Sequence, residues 1–318
     1  MVLELIFTAG VEVLPLGAVV LPLGRKMVCG RGHEESAGPE VLSIMLNQLP
    51  HIHQFRGFSM VQSGPQATHL AYADDVVIFS SDGKRAFKLV MHQLQNYEKC
   101  FGQLINIGKS CFLVDPKASN ITIQRIKEVV GYRHANFPIT YLGCPLYVGR
   151  KRILHFSDIV SKLVKRTTGW QGKLLSVGDR ATLIKHVLQS QPIYLLSALE
   201  PPKTVFKQLE TYMARFFWGS YQGKKKYHWS SWSNLCYPKE EGGLGFRSIL
   251  DVSKSLTMKR WWRFRTCKSL WSIFLMAKYC SNHPVFVPAH TSQSNAWKNL
   301  LKIRDKVEDE LLWKINAK

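Results

Sequence analysis

Acidic residues are scarce in this chain, and no aspartate precedes Asp74. The acids ahead of it are Glu4, Glu12, Glu34, Glu35 and Glu40, and none lies in an apolar strand pattern. Across 318 residues, 22 Asp and Glu face 43 Lys and Arg, for a formal net charge of +21. Residues 1–100 hold 8 basic and 9 acidic side chains, a net of −1, whereas residues 101–318 hold 35 and 13, a net of +22. A cationic excess so segregated points to a polyanionic partner, with nucleic acid first among them. No CxxC pair occurs among Cys29, Cys100, Cys111, Cys144, Cys236, Cys267 and Cys280, which excludes a zinc ribbon and a disulfide framework. Cys267, Cys280, His283 and His290 fit no zinc module by spacing. Thiols of this kind suit a reducing compartment, so an intracellular location is expected, with the nucleus one candidate.

Long apolar runs are missing too. A membrane span needs roughly 20 uninterrupted apolar residues, and Glu12, Pro15 and Pro22 interrupt the opening stretch. A secretory signal would start with basic residues, and here Glu4 comes first. No membrane partner is expected. Residues 1–24 contain a small duplication, Val13-Leu14-Pro15-Leu16-Gly17 and Val20-Leu21-Pro22-Leu23-Gly24, and residues 25–38 are Gly-rich and polar. Residues 1–38 therefore read as a leader and linker that stand outside any fold.

The informative stretch is His69-Leu70-Ala71-Tyr72-Ala73-Asp74-Asp75-Val76-Val77-Ile78-Phe79-Ser80. Two short apolar runs rich in β-branched and aromatic residues flank adjacent acids, the pattern of a buried hairpin with two carboxylates at its tip. Such a tip can present oxygen ligands to a hard divalent cation. Taken alone, the stretch is more often an ordinary turn in which Asp supplies local hydrogen bonds.

The flanking elements predict an α+β fold of 46% hydrophobic composition. Val41, Leu42, Met45, Leu46 and Leu49 recur at helical spacing, with Pro39 in the first turn. Phe87, Val90, Met91, Leu94 and Tyr97 mark a second amphipathic helix, and Cys111-Phe112-Leu113-Val114 a strand. Asn120 is placed to cap a helix that Gly131 stops. Tyr141-Leu142-Gly143-Cys144-Pro145-Leu146 reads as a turn between two strands. Beyond Gly149 the pattern is helical, with a capping box at Ser176-x-x-Asp179 and a helix opening at Pro202. The last hundred residues mix cations with aromatics, Lys224-Lys225-Lys226-Tyr227-His228-Trp229 and Met258-Lys259-Arg260-Trp261-Trp262-Arg263-Phe264-Arg265. Cations neutralise phosphates and exposed indoles stack on unpaired bases, although about half of these tryptophans read as core.

Tyr72-Ala73-Asp74-Asp75 within its apolar frame resembles the catalytic hairpin of reverse transcriptases. The block Gly102 to Ser110 with Lys109, the Leu142-Gly143 turn and Pro238-Lys239-Glu240-Glu241-Gly242-Gly243-Leu244-Gly245-Phe246 follow in the order found in plant LINE-type (non-LTR) retrotransposon polyproteins. The Gly-Gly-Leu-Gly run argues against a group II intron maturase. The resemblance implies a partial polymerase palm over 39–150, a helical thumb over 151–220 and a basic, aromatic extension over 221–318. It implies that Asp74 and Asp75 face Mg²⁺, that Tyr72, Ala73, Leu142 and Gly143 lie near the primer end and nucleotide, and that Lys109 lies near the triphosphate. On residues alone, Lys109 reads equally as a solvated turn lysine. Lys224, Lys225, Lys226, Lys259, Arg260, Arg263 and Arg265 are the candidate contacts to nucleic acid, and an RNA template with a DNA primer are the implied partners.

A working palm of this family carries a third metal-binding Asp upstream, and its fingers need well over a hundred residues that are not present here. The expectation is a truncated reverse-transcriptase-like chain, catalytically incomplete by itself. The alternative is a retroelement remnant that only binds nucleic acid.

Overall fold

A computed structural model of the chain describes residues 17–22, 37–52, 55, 57–59, 65–80, 83–171, 175–221, 224–225, 227–280, 283–290 and 293–310. Two compact units emerge, Met1–Ile139 with Ser269–Val287, and Thr140–Lys268 with Pro288–Lys318. The architecture is α+β.

The first unit is built on a mixed sheet. Its strands are β1 (Gly17–Pro22), β2 (His69–Tyr72), β3 (Asp75–Ser80), β4 (Cys111–Leu113) and β5 (Arg133–His134), in the order β2-β3-β1-β4-β5. β4 and β5 run parallel, and the other pairs antiparallel. Residues 1–24 were read from sequence as a leader outside the fold; for 17–22 this is corrected, since β1 is the central strand, and the remainder lies outside the described residues. Gly-Ala-Val-Val-Leu-Pro is a short continuous apolar run, the composition of a strand covered on both faces. Val19 stands in register with Ile78 on one side and Phe112 on the other, and all three are buried.

Three helices cover this sheet's core. In α1 (Ala37–Asn47), Leu42 and Leu46 are buried one turn apart, and Leu49 follows in a short 3₁₀ turn. In α2 (Lys84–Phe101) the buried stripe is Phe87, Val90, Leu94 and Tyr97. It stops at Gly102, whose φ of 66° lets its N–H reach the Glu98 carbonyl. In α3 (Asn120–Val130) Ile126 and Val130 face the same core. Its cap is Ser119, not Asn120: the Ser119 hydroxyl accepts from the Thr122 N–H at 3.2 Å. Gly131 ends it with φ 73°.

At the start of the second unit β6 (Ile139–Tyr141) and β7 (Cys144–Leu146) form a hairpin. Leu142 and Gly143 carry φ of 47° and 73°, the double left-handed conformation of a type I′ turn. Helix α4 (Ser157–Gln171) packs on α7 (Lys203–Trp218), with α5 (Val177–Leu183) and α6 (Ile193–Ala198) between them in the chain. The capping box at α5 is formed: Ser176 Oγ accepts from Asp179 N–H at 3.1 Å, and Asp179 Oδ2 accepts from Ser176 N–H at 2.9 Å. From the same helix Arg180 donates to the carbonyls of Phe217 (3.1 Å) and Leu175 (3.0 Å). That guanidinium seals the last turn of α7. Gly219 has φ 81°, which favours glycine, and a Cβ there would lie 2.5 Å from Arg180 Nη1 and push the guanidinium from this seat.

After the short ribbon β8 (Ser220–Tyr221) and β9 (Lys224–Lys225) comes α8 (Trp232–Leu235), followed by the glycine loop. Gly242 has φ 84°, and a Cβ on Gly243 would lie 2.0 Å from the Tyr237 carbonyl oxygen. The Gly-Gly-Leu-Gly run is thus a backbone requirement of this turn. Helix α9 (Ile249–Thr266) then packs on α11 (Asn295–Asp309). Between them in the chain, α10 (Leu270–Tyr279) belongs to the first unit, where Phe274 stacks on Phe58 at 5.9 Å. The stretch read as one continuous extension, 221–318, therefore contributes to both units. No helix among the described residues is long and apolar enough to cross a membrane.

Replacing Val19 by Asp tests the role of β1. A buried carboxylate without a partner in the central strand should cost about 3 kcal/mol or more. Urea unfolding should shift accordingly, and hydrogen exchange should show lost protection over 75–80 and 111–113.

Candidate functional site

The hairpin of β2 and β3 carries the two acids at its tip. Tyr72 pairs with Asp75 across the turn, and Ala73 and Asp74 occupy the turn itself. Ala73 has φ 48°, a left-handed conformation that costs a non-glycine residue about 1 kcal/mol or more. Among the described residues, Ala73 and Leu142 are the non-glycine residues with positive φ, and each sits at a hairpin tip. Asp74 is exposed, Asp75 half-buried, and the Tyr72 ring 60% exposed.

Electrostatics couple these acids to one of the predicted cations. The Asp75 carboxyl is raised above its ordinary value, first by burial and then by the Asp74 charge, while Lys109 pulls it back down. Lys109 is thus within electrostatic reach of Asp75. It sits in an exposed turn where its N–H donates to Asn106 Oδ1 at 3.1 Å. The strand beside β3 brings no third acid. β1 sets Pro22 opposite Asp75, and Glu40 stands exposed in the first turn of α1. Among the described residues no group of three or more His, Cys, Asp or Glu could hold a metal ion. Glu4, Glu12, Glu34 and Glu35 lie outside the described residues.

Along β2, His69 is tied to the sheet's edge: its Nδ1 lies 2.9 Å from Thr68 Oγ1, which donates to Asn47 Oδ1 at 3.3 Å. Burial lowers its pKa to about 4.

No family model matches the chain. A curated protein of Arabidopsis thaliana, "Uncharacterized mitochondrial protein AtMg00310", is 31% identical over 124 residues, which make up 38% of this chain and 80% of that protein. The chain belongs to the family of that mitochondrial protein. A second curated protein of the same plant, "Putative ribonuclease H protein At1g65750", is 35% identical over 164 residues, 50% of this chain. The match spans only 26% of that longer protein.

The basic candidates divide once they are placed. Arg260 is buried, with 7% exposure, and donates to the Ala198 carbonyl (3.2 Å) and Thr257 Oγ1 (2.9 Å). Arg265 forms a largely buried ion pair with Glu308, whose other oxygen accepts from the Trp261 indole N–H at 2.7 Å. Both belong to the interior, so their assignment to a nucleic-acid surface is corrected. Lys259 is exposed and Arg263 half-buried on the same helix. The side chains of Lys224 and Lys225, and all of Lys226, lie outside the described residues.

Sequence reading missed a second basic site. Lys162, Lys165 and Arg166, at helical spacing on α4, outnumber Asp158 of the same helix in a cavity of about 750 Å³ that Trp170, Tyr194 and Gly143 also line. With its amide oxygen turned inward, Gln191 accepts from Arg166 Nε at 3.0 Å and Nη1 at 2.9 Å. The floor is apolar, formed by Phe156, Ile159 and Leu195. The signal was available in the i, i+3, i+4 cations of 162–166. Cys144, the first residue of β7, is buried, which pushes its thiol up to about 11.

His69 makes stability depend on pH in one direction. The folded protein keeps the imidazole neutral, so as pH falls below about 6.5 the unfolded chain takes up the proton first. Stability contributed by this group should fall from about pH 6.5 to about pH 4 and then level off, by on the order of 2 kcal/mol. Urea midpoints at either end of that range should differ less in His69→Asn than in the natural chain.

Proposed function

We propose that this chain is a retroelement-derived, reverse-transcriptase-like protein that binds nucleic acid and does not polymerise by itself. The observation that carries the reading is the strained hairpin: Asp74 and Asp75 at its tip, Lys109 in their field, and Pro22 where a facing strand could have brought a further acid. A relative described as a ribonuclease H protein supports a setting in which nucleic acid is handled. The formal charge of +21 and the cationic cavity on α4 support it independently.

Asp74 and Asp75 would be the ligands for Mg²⁺. They do not fit a complete two-metal centre, because both approach from one hairpin and no third carboxylate joins them among the described residues. Without it, the reacting atoms have no fixed geometry, and a misplacement of about 1 Å already costs on the order of 10²-fold. What the residues present can do is narrower. The hairpin offers two carboxylates and an exposed tyrosine, and α4 offers three cations beside an apolar floor. An RNA template paired with a DNA primer is the ligand that this family resemblance names, held through phosphates and without sequence preference.

Two experiments test the reading. On a poly(rA)/oligo(dT) substrate with Mg²⁺ or Mn²⁺, the chain should extend no more than a control carrying Asp74→Ala and Asp75→Ala. Extension above that control would show that an acid elsewhere completes the site. Binding to the same hybrid should weaken about a hundredfold between about 50 and about 200 mM salt, corresponding to roughly four neutralised phosphates. Lys162→Ala combined with Lys165→Ala should reduce the salt slope by roughly two. A flat titration in the natural chain would remove the nucleic-acid reading altogether.

A further inference from the structure

Behind α7 the aromatic residues form a connected series that ends at the surface. Phe217 and Phe246 are buried and meet edge-on at 5.4 Å, and Trp232 stacks on Phe246 at 5.2 Å. Trp218 meets Phe217 at 4.9 Å and in turn stacks on His228 at 6.0 Å. His228 is itself exposed and meets the half-buried Trp218 there. Its two neighbours in the chain, Tyr227 and Trp229, are 75% and 80% exposed, and their rings meet edge-on at 5.3 Å. Single exposed aromatics need no explanation. A tyrosine and a tryptophan whose exposed rings meet side by side form a continuous aromatic surface.

The surroundings are polar and cationic. A depression of about 600 Å³ is lined by His228, Trp229 and Trp232 with Lys207, Thr211 and Asn234. Its one lining carboxylate, Glu210, is engaged elsewhere: Oε1 accepts from the Ile249 N–H at 3.1 Å and from Ser248 Oγ at 3.3 Å, at the start of α9. Burial pushes the Glu210 carboxyl above its ordinary value. Directly ahead in sequence stands Lys224-Lys225-Lys226. Exposed π faces beside a lysine and an amide, with the one acid engaged at the start of α9, match a ligand that offers flat apolar rings and anionic links at once. Unpaired bases on a phosphate backbone have that chemistry. A closed duplex does not, because stacked neighbours cover its base faces.

We propose that Tyr227 and Trp229 form a stacking platform for unpaired bases of single-stranded nucleic acid, with Lys207 meeting the backbone phosphates. The platform shares no residue with the carboxylate hairpin, and its function does not depend on metal or on polymerisation. It goes beyond the reading above by assigning strand selectivity to residues that the hairpin does not touch.

The test uses the full chain and a fluorescently labelled oligo(dT), with relaxed closed-circular duplex DNA as competitor. Trp229→Ala and Tyr227→Ala should each weaken oligo(dT) binding roughly tenfold, the order that one base–aromatic stack supplies. Competition by the circular duplex should change by less than about twofold, and the salt slope on oligo(dT) should be unaltered because no phosphate contact is lost. Trp229→Phe should recover most of the loss. Since both rings are exposed, thermal midpoints should match the natural chain. Asp74→Ala with Asp75→Ala should leave this binding intact, so failure of the hairpin reading and failure of the platform are separable. Equal loss on single strand and duplex would overturn the platform as a selective site. Undiminished oligo(dT) binding in both alanine variants would overturn it too, and would leave the surface to a protein partner.

Discussion

The backbone ladder between β1 and its two neighbours is what the first unit depends on. β3 carries the acids, β4 leads from the Lys109 turn into the core, and neither pairs directly with the other. Both are held through β1, by hydrogen bonds on either side and by Val19 packed in register with Ile78 and Phe112. Remove that strand and the two parts of the candidate site, Asp74-Asp75 and Lys109, lose their common frame. The rest of the unit follows from it: α1, α2 and α3 bury Leu46, Phe87, Val90 and Ile126 in the core that also holds Val19.

In the second unit the organising contacts are charged groups drawn inward. Arg180 closes the end of α7, Arg260 joins α9 to the end of α6 through the Ala198 carbonyl, and Glu308 of α11 takes both Trp261 and Arg265. Each satisfies a buried polar group that would otherwise be costly. They also reduce the cations left for a ligand. The high formal charge is therefore an incomplete guide to the proposed binding surface, which would rest on residues such as Lys162, Lys165 and Lys207.

Much of this was legible in the chain. The hairpin over 69–80 showed because apolar β-branched runs on both sides of two acids admit few other folds, and the helical stripe from Phe87 to Tyr97 showed for the same periodic reason. β1 was hidden because a strand buried on both faces has no alternation, and Pro15 and Pro22 made its surroundings look broken. Arg260 could not be told from Arg263 because only the fold puts the Ala198 carbonyl beside one of them. Ser119 outcompeted Asn120 as a cap by one position, a choice set by where the chain turns out of the preceding loop. The cavity on α4 escaped notice because its walls come from segments some fifty residues apart in sequence, from Thr140 to Leu195.

The sheet order limits how a further carboxylate could be brought beside Asp75. A strand supplied by another chain can add only to an open edge, and the edges here are β2 and β5. The flank of β3 that faces the interior of the sheet, where a carboxylate would stand opposite Asp75, is already taken by β1 with Pro22 at that register. Complementation in trans would thus require eviction of the central strand, with loss of its ladders to both β3 and β4. A point change at the end of β1 is the shorter route: it would place a new side chain beside Asp75 without disturbing any strand order.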